Sequence, residues 1–316
     1  MRRLLQSPLL RGLLLAVTFG FIGYALLRQW SDVEVAARAV EIRWGWILAA
    51  SLVVMGTYAV LIQSWRMLLA GWGGHLSYPT AVRIWTIANL GRYLPGKVWS
   101  ISALGVMAAA EGVSGIAAAG AAVLGTTLNI GAGFAVAVIT GTKGLDGIYP
   151  GFGAATKVGA IMFITGVVAL PWMLPALLDR FARWRGMPVS DQHLTRGTIW
   201  LSAAINAVSW VGYGLAFALF AQGVTPQISR DPVLFIAGYS ASYLVGFLAL
   251  FAPGGVGVRE LALSGFLVGI GAAGQGEAVI LGAASRIWLT VLEILPGIIG
   301  LLSMTPAQRA SLRKRA

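Results

Sequence analysis

Asn89-Leu90-Gly91-Arg92-Tyr93-Leu94-Pro95-Gly96-Lys97-Val98-Trp99 interrupts an apolar stretch running from 79 to 110. Pro95 cannot continue the preceding helix, but its fixed φ suits the first turn of a new one. Two half-helices separated by a break are therefore expected here. Part of the stretch, Gly91 to Lys97, matches the GxxxxGK core of a phosphate-binding P-loop. Val98 then stands where that motif needs a Ser or Thr hydroxyl for magnesium, and an apolar helix, not a strand, precedes it. Both departures argue against nucleotide hydrolysis. A different reading survives them. A helix starting at Pro95 points its free N–H groups and positive dipole end at the break. Arg92 and Lys97 add two cations beside it. Arg92, Tyr93, Pro95, Gly96 and Lys97 thus form a candidate anion pocket suited to a phosphate.

The surrounding chain shows what solvent this break sits in. Its 316 residues are 58% hydrophobic and 11% charged, with a mean hydropathy of +0.80. Soluble domains run nearer ~25% charged and ~45–50% apolar. A surface so apolar needs lipid as its solvent. No long polar stretch divides the apolar segments, so a single transmembrane domain over 1–316 is expected, with a basic cytoplasmic tail at 304–316. The lack of cysteine removes disulfides, thiolate chemistry and Cys-based metal sites. His75 and His193 stand in expected loops without ligand spacing, so no metal or cofactor is expected. A net charge of +12 would suggest nucleic acid in a soluble protein. Here the bases cluster at segment ends, so membrane orientation accounts for most of them.

A spanning helix needs ~20 largely apolar residues. The candidates are 10–28, 45–69, 115–141, 157–178, 197–221, 232–251 and 277–303. Arg28-Gln29-Trp30 follows the first run without a small-x-small cleavage site, so it is read as a retained helix and not a signal peptide. Two further stretches are short and broken, 79–110 and 252–271. Arg2, Arg3 and Arg11 argue for a cytoplasmic N-terminus, and the base-rich loop 179–196 and acid-free tail fit the same side. An even number of crossings follows. The expected fold is therefore an all-α polytopic membrane protein of about eight transmembrane helices. On this count 79–110 is re-entrant, 258–271 is a short crossing, and both breaks face the cytoplasmic half. A double crossing by 79–110 keeps the same parity. Among the 42 glycines, many lie in expected spans, where small residues let helices pack closely.

The second break reads Ala252-Pro253-Gly254-Gly255-Val256-Gly257-Val258-Arg259-Glu260. Its glycines permit a tight turn and close ligand approach. Arg259 falls in the first turn of the next helix, between apolar segments, where an unpaired charge is costly. The alternative is an Arg259–Glu260 pair at the interface. Two Pro/Gly-interrupted segments, one in each half, point to a binding site between the halves. Pro253, Gly254, Gly255, Arg259 and Glu260 join the candidate head-group residues. Arg286 and Glu293 lie two turns apart on one face of the last helix. They read first as partners in a structural ion pair buried in the bundle, either with ions on other helices or with each other through Thr290, with a substrate or proton-relay role as the alternative. Glu111 is equally open. The tryptophans at 85, 99, 200, 210 and 288 read as interfacial anchors before ligand platforms. No nucleophile elbow, zinc spacing or paired carboxylates appears, so no enzyme is expected.

GRYLPGKVW at 91–99, followed downstream by APGGVGVRE at 252–260, resembles the lysylphosphatidylglycerol synthase transmembrane-region family, the flippase-like membrane domains also found as stand-alone proteins. The resemblance covers essentially the whole chain. It implies translocation of an anionic lipid, phospholipid or polyprenyl-phosphate-linked, across the bacterial inner membrane. The soluble aminoacyl-transferring domain of bifunctional relatives has no counterpart before Ala316, so synthase activity is not expected. The alternatives are a membrane-embedded transferase, or an accessory subunit of a separately encoded lipid synthase or glycosyltransferase. No nucleic acid partner is expected.

Overall fold

The computed structural model describes residues 40–93, 99–148, 194–226, 231–249 and 257–305, together with isolated positions between them. The expected first span, most of 157–178 and the tail beyond 305 lie outside these residues. So do five site candidates: Pro95, Gly96, Lys97, Pro253 and Gly254. The described residues are 86% helical, without strands, and the chain is an all-α polytopic membrane protein, as expected.

Eight α-helices are described: α1 (Trp44–Ala70), α2 (Tyr78–Asn89), α3 (Trp99–Ala110), α4 (Gly115–Ile148), α5 (Arg196–Val224), α6 (Pro232–Leu248), α7 (Val258–Gly269) and α8 (Gln275–Leu302). A 3-10 turn, Leu90–Tyr93, extends α2. Local chemistry explains several starts. The side chains of Ser77, Thr195 and Asp231 accept from the first-turn amides of α2, α5 and α6, and Pro79 and Pro232 sit where a missing N–H costs nothing. Four helices, α1, α4, α5 and α8, are long and apolar enough to span a bilayer. Their outer faces are inverted relative to a soluble protein. Leu48, Leu52, Val208, Ile287 and Leu302 are each more than half exposed.

Helix α1 packs along α5, while α6 packs on α4, α5 and α7, and α8 on α2 and α7. Small residues make this possible. A Cβ on Gly214 of α5 would lie 2.4 Å from the Ile236 Cα of α6, and one on Gly133 of α4 would lie 2.4 Å from the Trp210 indole. Two apolar cores result. One joins α1 and α4 to α8 around Phe217, Phe235 and Leu281. The other joins α1 to α5 around Leu68, Ile84 and Leu128.

The short helices are two hairpins. Helices α2 and α3 have 12 residues each, so each rises ~18 Å, short of a ~30 Å hydrocarbon layer. Arg83 near the start of α2 pairs with Glu111 just past α3 at 2.8 Å, tying the two ends together. The described length of the two arms fits the re-entrant arrangement better than a double crossing. Helices α6 and α7 are likewise antiparallel, with Gly246 against Arg259 and Gly238 against Phe266.

Helix α8 is the ruler for both hairpins. Gly300 lies against Thr86 and Ile87, Gly297 against Leu90, and Glu293 against Arg92 and Tyr93. The first hairpin therefore enters beside the Leu302 end of α8. Arg286 meets Glu260, Gly282 meets Ser264, and the Ser264 hydroxyl donates to the Ala278 carbonyl at 2.9 Å. Helix α7 therefore runs from the middle of α8 to its Gln275 end. With 12 residues, ~18 Å, it does not cross from there. The short crossing expected at 258–271 is thus one arm of a second hairpin, and the two hairpins enter from opposite faces. The expectation that both breaks face one half is corrected accordingly. Charge counting constrains only which end of a segment is cytoplasmic, and α7 has no base at its far end to mark it.

Candidate functional site

The hairpin tips meet the middle of α8 about 10 Å apart along its axis, at the levels of Glu293 and Arg286. Between them, and between the two apolar cores, lies a cavity of about 350 Å³. Arg92, Gly255, Arg259, Arg286 and Glu293 all line it. The sequence expectation of a site between the halves therefore has a physical counterpart, within the size range of small-ligand pockets.

Arg92 is not free. Its guanidinium donates to Glu293 Oε1 at 2.6 Å and to the Asn89 side-chain oxygen at 2.9 Å. Glu293 is surrounded by donors, since the Tyr93 hydroxyl gives to its Oε2 at 2.5 Å and the Tyr58 hydroxyl to its Oε1 at 3.4 Å. The first hairpin is thereby pinned to α8 through its own tip. Of the two pairings open to Arg286 and Glu293, with ions on other segments or with each other, the structure shows the first. Arg286 faces Glu260 at 3.8 Å.

Glu260 also holds its own helix. Its Oε2 accepts from the Gly257 amide at 2.5 Å. The dipole end of α7 is thus occupied by a side chain of that helix. Gly257 has φ +82°, a left-handed conformation in which a side chain would be strained.

Arg259 is different. It is 5% exposed, and its Nη2 has no hydrogen-bond partner among the described residues. Its guanidinium lies over the rings of Tyr239 and Tyr243, 4.9 Å and 5.1 Å from their centres. Aromatic faces attract a cation but do not supply hydrogen-bond acceptors. An Arg259–Glu260 pair does not form, because successive residues of a helix point in different directions. The buried donor instead belongs to a residue that lines the cavity.

Two glycines set this position. A Cβ on Gly246 would lie 2.7 Å from the Arg259 Cβ, and one on Gly255 would lie 2.9 Å from the Gly246 carbonyl oxygen. Gly246→Ala is expected to push α7 off α6 and to cost about 1–3 kcal/mol, the range for overpacking. Gly265→Ala, with nothing within 4 Å of its Cβ, is the control and should be silent. Thermal unfolding of the two purified variants distinguishes them, and equal midpoints would refute the close approach.

Several cavity residues escaped the sequence reading. Tyr58, Tyr213, Tyr239 and Tyr243 form an aromatic wall with Trp85 and Trp210. Asn129 donates to Asn206 at 2.9 Å, and Asn206 lies beside the buried Ser64–Ser202 pair. An amide in the middle of an apolar span is a signal in itself, because it needs a partner there. Tyr239 and Tyr243, four apart, share one face of α6, a spacing that is the signal by which they could have been found. Trp85 and Trp210 line the cavity, whereas Trp99 is 52% exposed. Trp288 stacks on Phe220 and donates to Ser51. Glu111 is a hairpin tie and not a cavity residue. Among the described residues no group of His, Asp and Glu has the clustering of a metal site.

A sequence profile described as Lysylphosphatidylglycerol synthase TM region matches residues 10–297. No characterised protein matches the chain at a significant level.

Proposed function

The chain belongs to the lysylphosphatidylglycerol synthase TM-region family, and from that membership and the cavity we propose that it moves an anionic lipid between the leaflets of the bacterial inner membrane. The membrane location and a lipid-related role follow from the family and the apolar helices. The finer reading rests on Arg259. A guanidinium almost wholly buried, whose Nη2 has no hydrogen-bond partner among the described residues and which faces a cavity, is costly unless an anion completes it. A lipid phosphate supplies that anion with geometry matched to a guanidinium fork. The lipid tails stay in the bilayer. The head group occupies the cavity between the two tips and leaves past one hairpin or the other, towards opposite faces. The cytoplasmic placement of both termini, and association with a separately encoded lipid synthase or glycosyltransferase, belong to the same proposal.

The test is mass spectrometry of lipids that co-purify with wild type and with Arg259→Met, followed by a flipping assay in vesicles. One phosphate-bearing lipid class should be enriched with wild type, lost in the variant, and moved by the reconstituted protein. An identical bulk profile from two well-folded proteins would sink the reading and favour a non-transporting accessory subunit.

A further inference from the structure

The cavity wall has a charged part and a neutral one. On the charged part stand Arg92, Arg259 and Arg286, with Glu293 on Arg92 and Glu260 facing Arg286. Three guanidiniums against two carboxylates leave one positive charge among the described residues, that of Arg259, to which the phosphate is assigned above. Glu293 is the one acid among the described lining residues, and Arg92, Tyr93 and Tyr58 already hold it. Glu260 is tied to the Gly257 amide. Neither carboxylate is left for a cationic group on a ligand.

The neutral part is built by α1, α4 and α5, which bring Ser64, Asn129 and Asn206 to the cavity. Its hydrogen bonds run in one direction. The Asn206 amide nitrogen donates to the Ser202 carbonyl at 2.8 Å, which fixes how that side chain is turned. The Asn206 oxygen therefore accepts from the Asn129 amide nitrogen at 2.9 Å. Asn129 Oδ1 is the atom left over, with no donor among the described residues. Asn206 is 2% exposed, whereas Asn129 is half-buried, so the unused acceptor belongs to the cavity end of the network. Trp210 and Tyr243 lie between this pole and the phosphate pole. The indole donates to the Asn129 backbone carbonyl, its ring stands 5.2 Å from that of Tyr243, and Arg259 lies over Tyr243. The two poles are thus separate places along one wall.

We propose that the cavity selects a phosphate lipid whose head group beyond the phosphate is uncharged and hydroxyl-bearing, with Asn129 Oδ1 accepting from a head-group hydroxyl, and that it rejects the aminoacylated form of the same lipid. The inference rests on the phosphate-lipid reading above. A lipid with one negative charge neutralises the surplus guanidinium. A lysyl ester of that lipid adds two ammonium groups, so the filled cavity would hold two uncompensated positive charges in a largely apolar wall. An amide oxygen accepts from an ammonium as readily as from a hydroxyl, but it brings no countercharge. Discrimination therefore comes from an unpaired charge held against one ligand and a hydrogen bond offered to the other.

The full chain in detergent is titrated with short-chain phosphatidylglycerol, its lysyl ester, phosphatidylmethanol and diacylglycerol. The lysyl ester keeps the phosphate and one hydroxyl and differs in charge. Phosphatidylmethanol keeps the charge and has no hydroxyl. Phosphatidylglycerol should bind at least ~10-fold tighter than its lysyl ester, because the added charge is unpaired. It should bind about three- to tenfold tighter than phosphatidylmethanol, the effect of one neutral hydrogen bond. In Asn129→Leu the second advantage should shrink below ~twofold. The wild-type comparisons need no variant. A lysyl ester bound as tightly as phosphatidylglycerol overturns the proposal and leaves the phosphate site standing. So does phosphatidylmethanol bound as tightly by wild type, or an unchanged advantage in well-folded Asn129→Leu. Equal binding of phosphatidylglycerol and diacylglycerol overturns the phosphate site itself, and this selectivity with it.

Discussion

Arg259→Met should leave the protein as stable as wild type or more so, while lowering its affinity for a phosphate-bearing lipid at least ~10-fold. The two halves of this expectation have different causes. In the empty protein Arg259 is 5% exposed, and its Nη2 lacks an acceptor among the described residues. Burying a guanidinium costs several kcal/mol, and two tyrosine faces return about 2 kcal/mol each at best. Methionine keeps the apolar stem, fills similar space and carries no charge to desolvate. In the filled protein the same guanidinium gives a charge-assisted hydrogen bond worth ~1.5–3 kcal/mol, which methionine cannot give. A residue that costs stability and contributes binding is the signature of a ligand site. Thermal unfolding and a lipid titration on the same preparation separate the two terms. A lowered unfolding midpoint with unchanged affinity would make Arg259 a packing residue of the α6–α7 hairpin.

The Arg92–Glu293 contact carries the second large effect. It joins the tip of one hairpin to α8 at 2.6 Å, with side chains 31% and 14% exposed. Removing one partner of a buried pair costs ~3–5 kcal/mol, because the other charge is left uncompensated. With Arg92 partly exposed to the cavity, about 2 kcal/mol is expected for Arg92→Ala or Glu293→Ala alone. The double variant should cost less than the two singles added, with a coupling of ~1–2 kcal/mol. Glu293→Ala also deprives the Tyr93 and Tyr58 hydroxyls of their acceptor, so it should be the worse of the two. Denaturation midpoints of all four proteins check this. Strict additivity would mean that the pair contributes nothing beyond its separate side chains.

The same pair marks the boundary of what sequence reading can reach. Composition alone placed the chain in lipid, because a chain 58% hydrophobic and 11% charged cannot keep its apolar surface out of water. Pro95 and the Pro253-Gly254-Gly255 run marked both breaks, because backbone rules act locally and need no partner. The charged residues of the cavity were legible as intramembrane charges, because hydropathy too is read within one segment, whereas its tyrosines and asparagines were not. The roles of the charges were not legible either. Arg92 read as a free cation for phosphate, yet it is paired with a residue about 200 positions later in the chain. Arg259 read as a head-group residue, with a local ion pair to Glu260 as the alternative; the pair does not form, and its Nη2 has no hydrogen-bond partner among the described residues. Glu260 read as a site residue, yet its carboxylate caps its own helix.

What the sequence by itself determined is therefore the solvent, the helices and the two places where helices break. Each depends on residues a few positions apart, whose sterics and hydropathy act within one segment. Only the tertiary structure decided that the hairpins enter from opposite faces, and which charges neutralise one another where their tips meet. Pairing is decided by distance in space, and close-packed glycines such as Gly246, Gly297 and Gly300 set that distance between helices far apart in the chain.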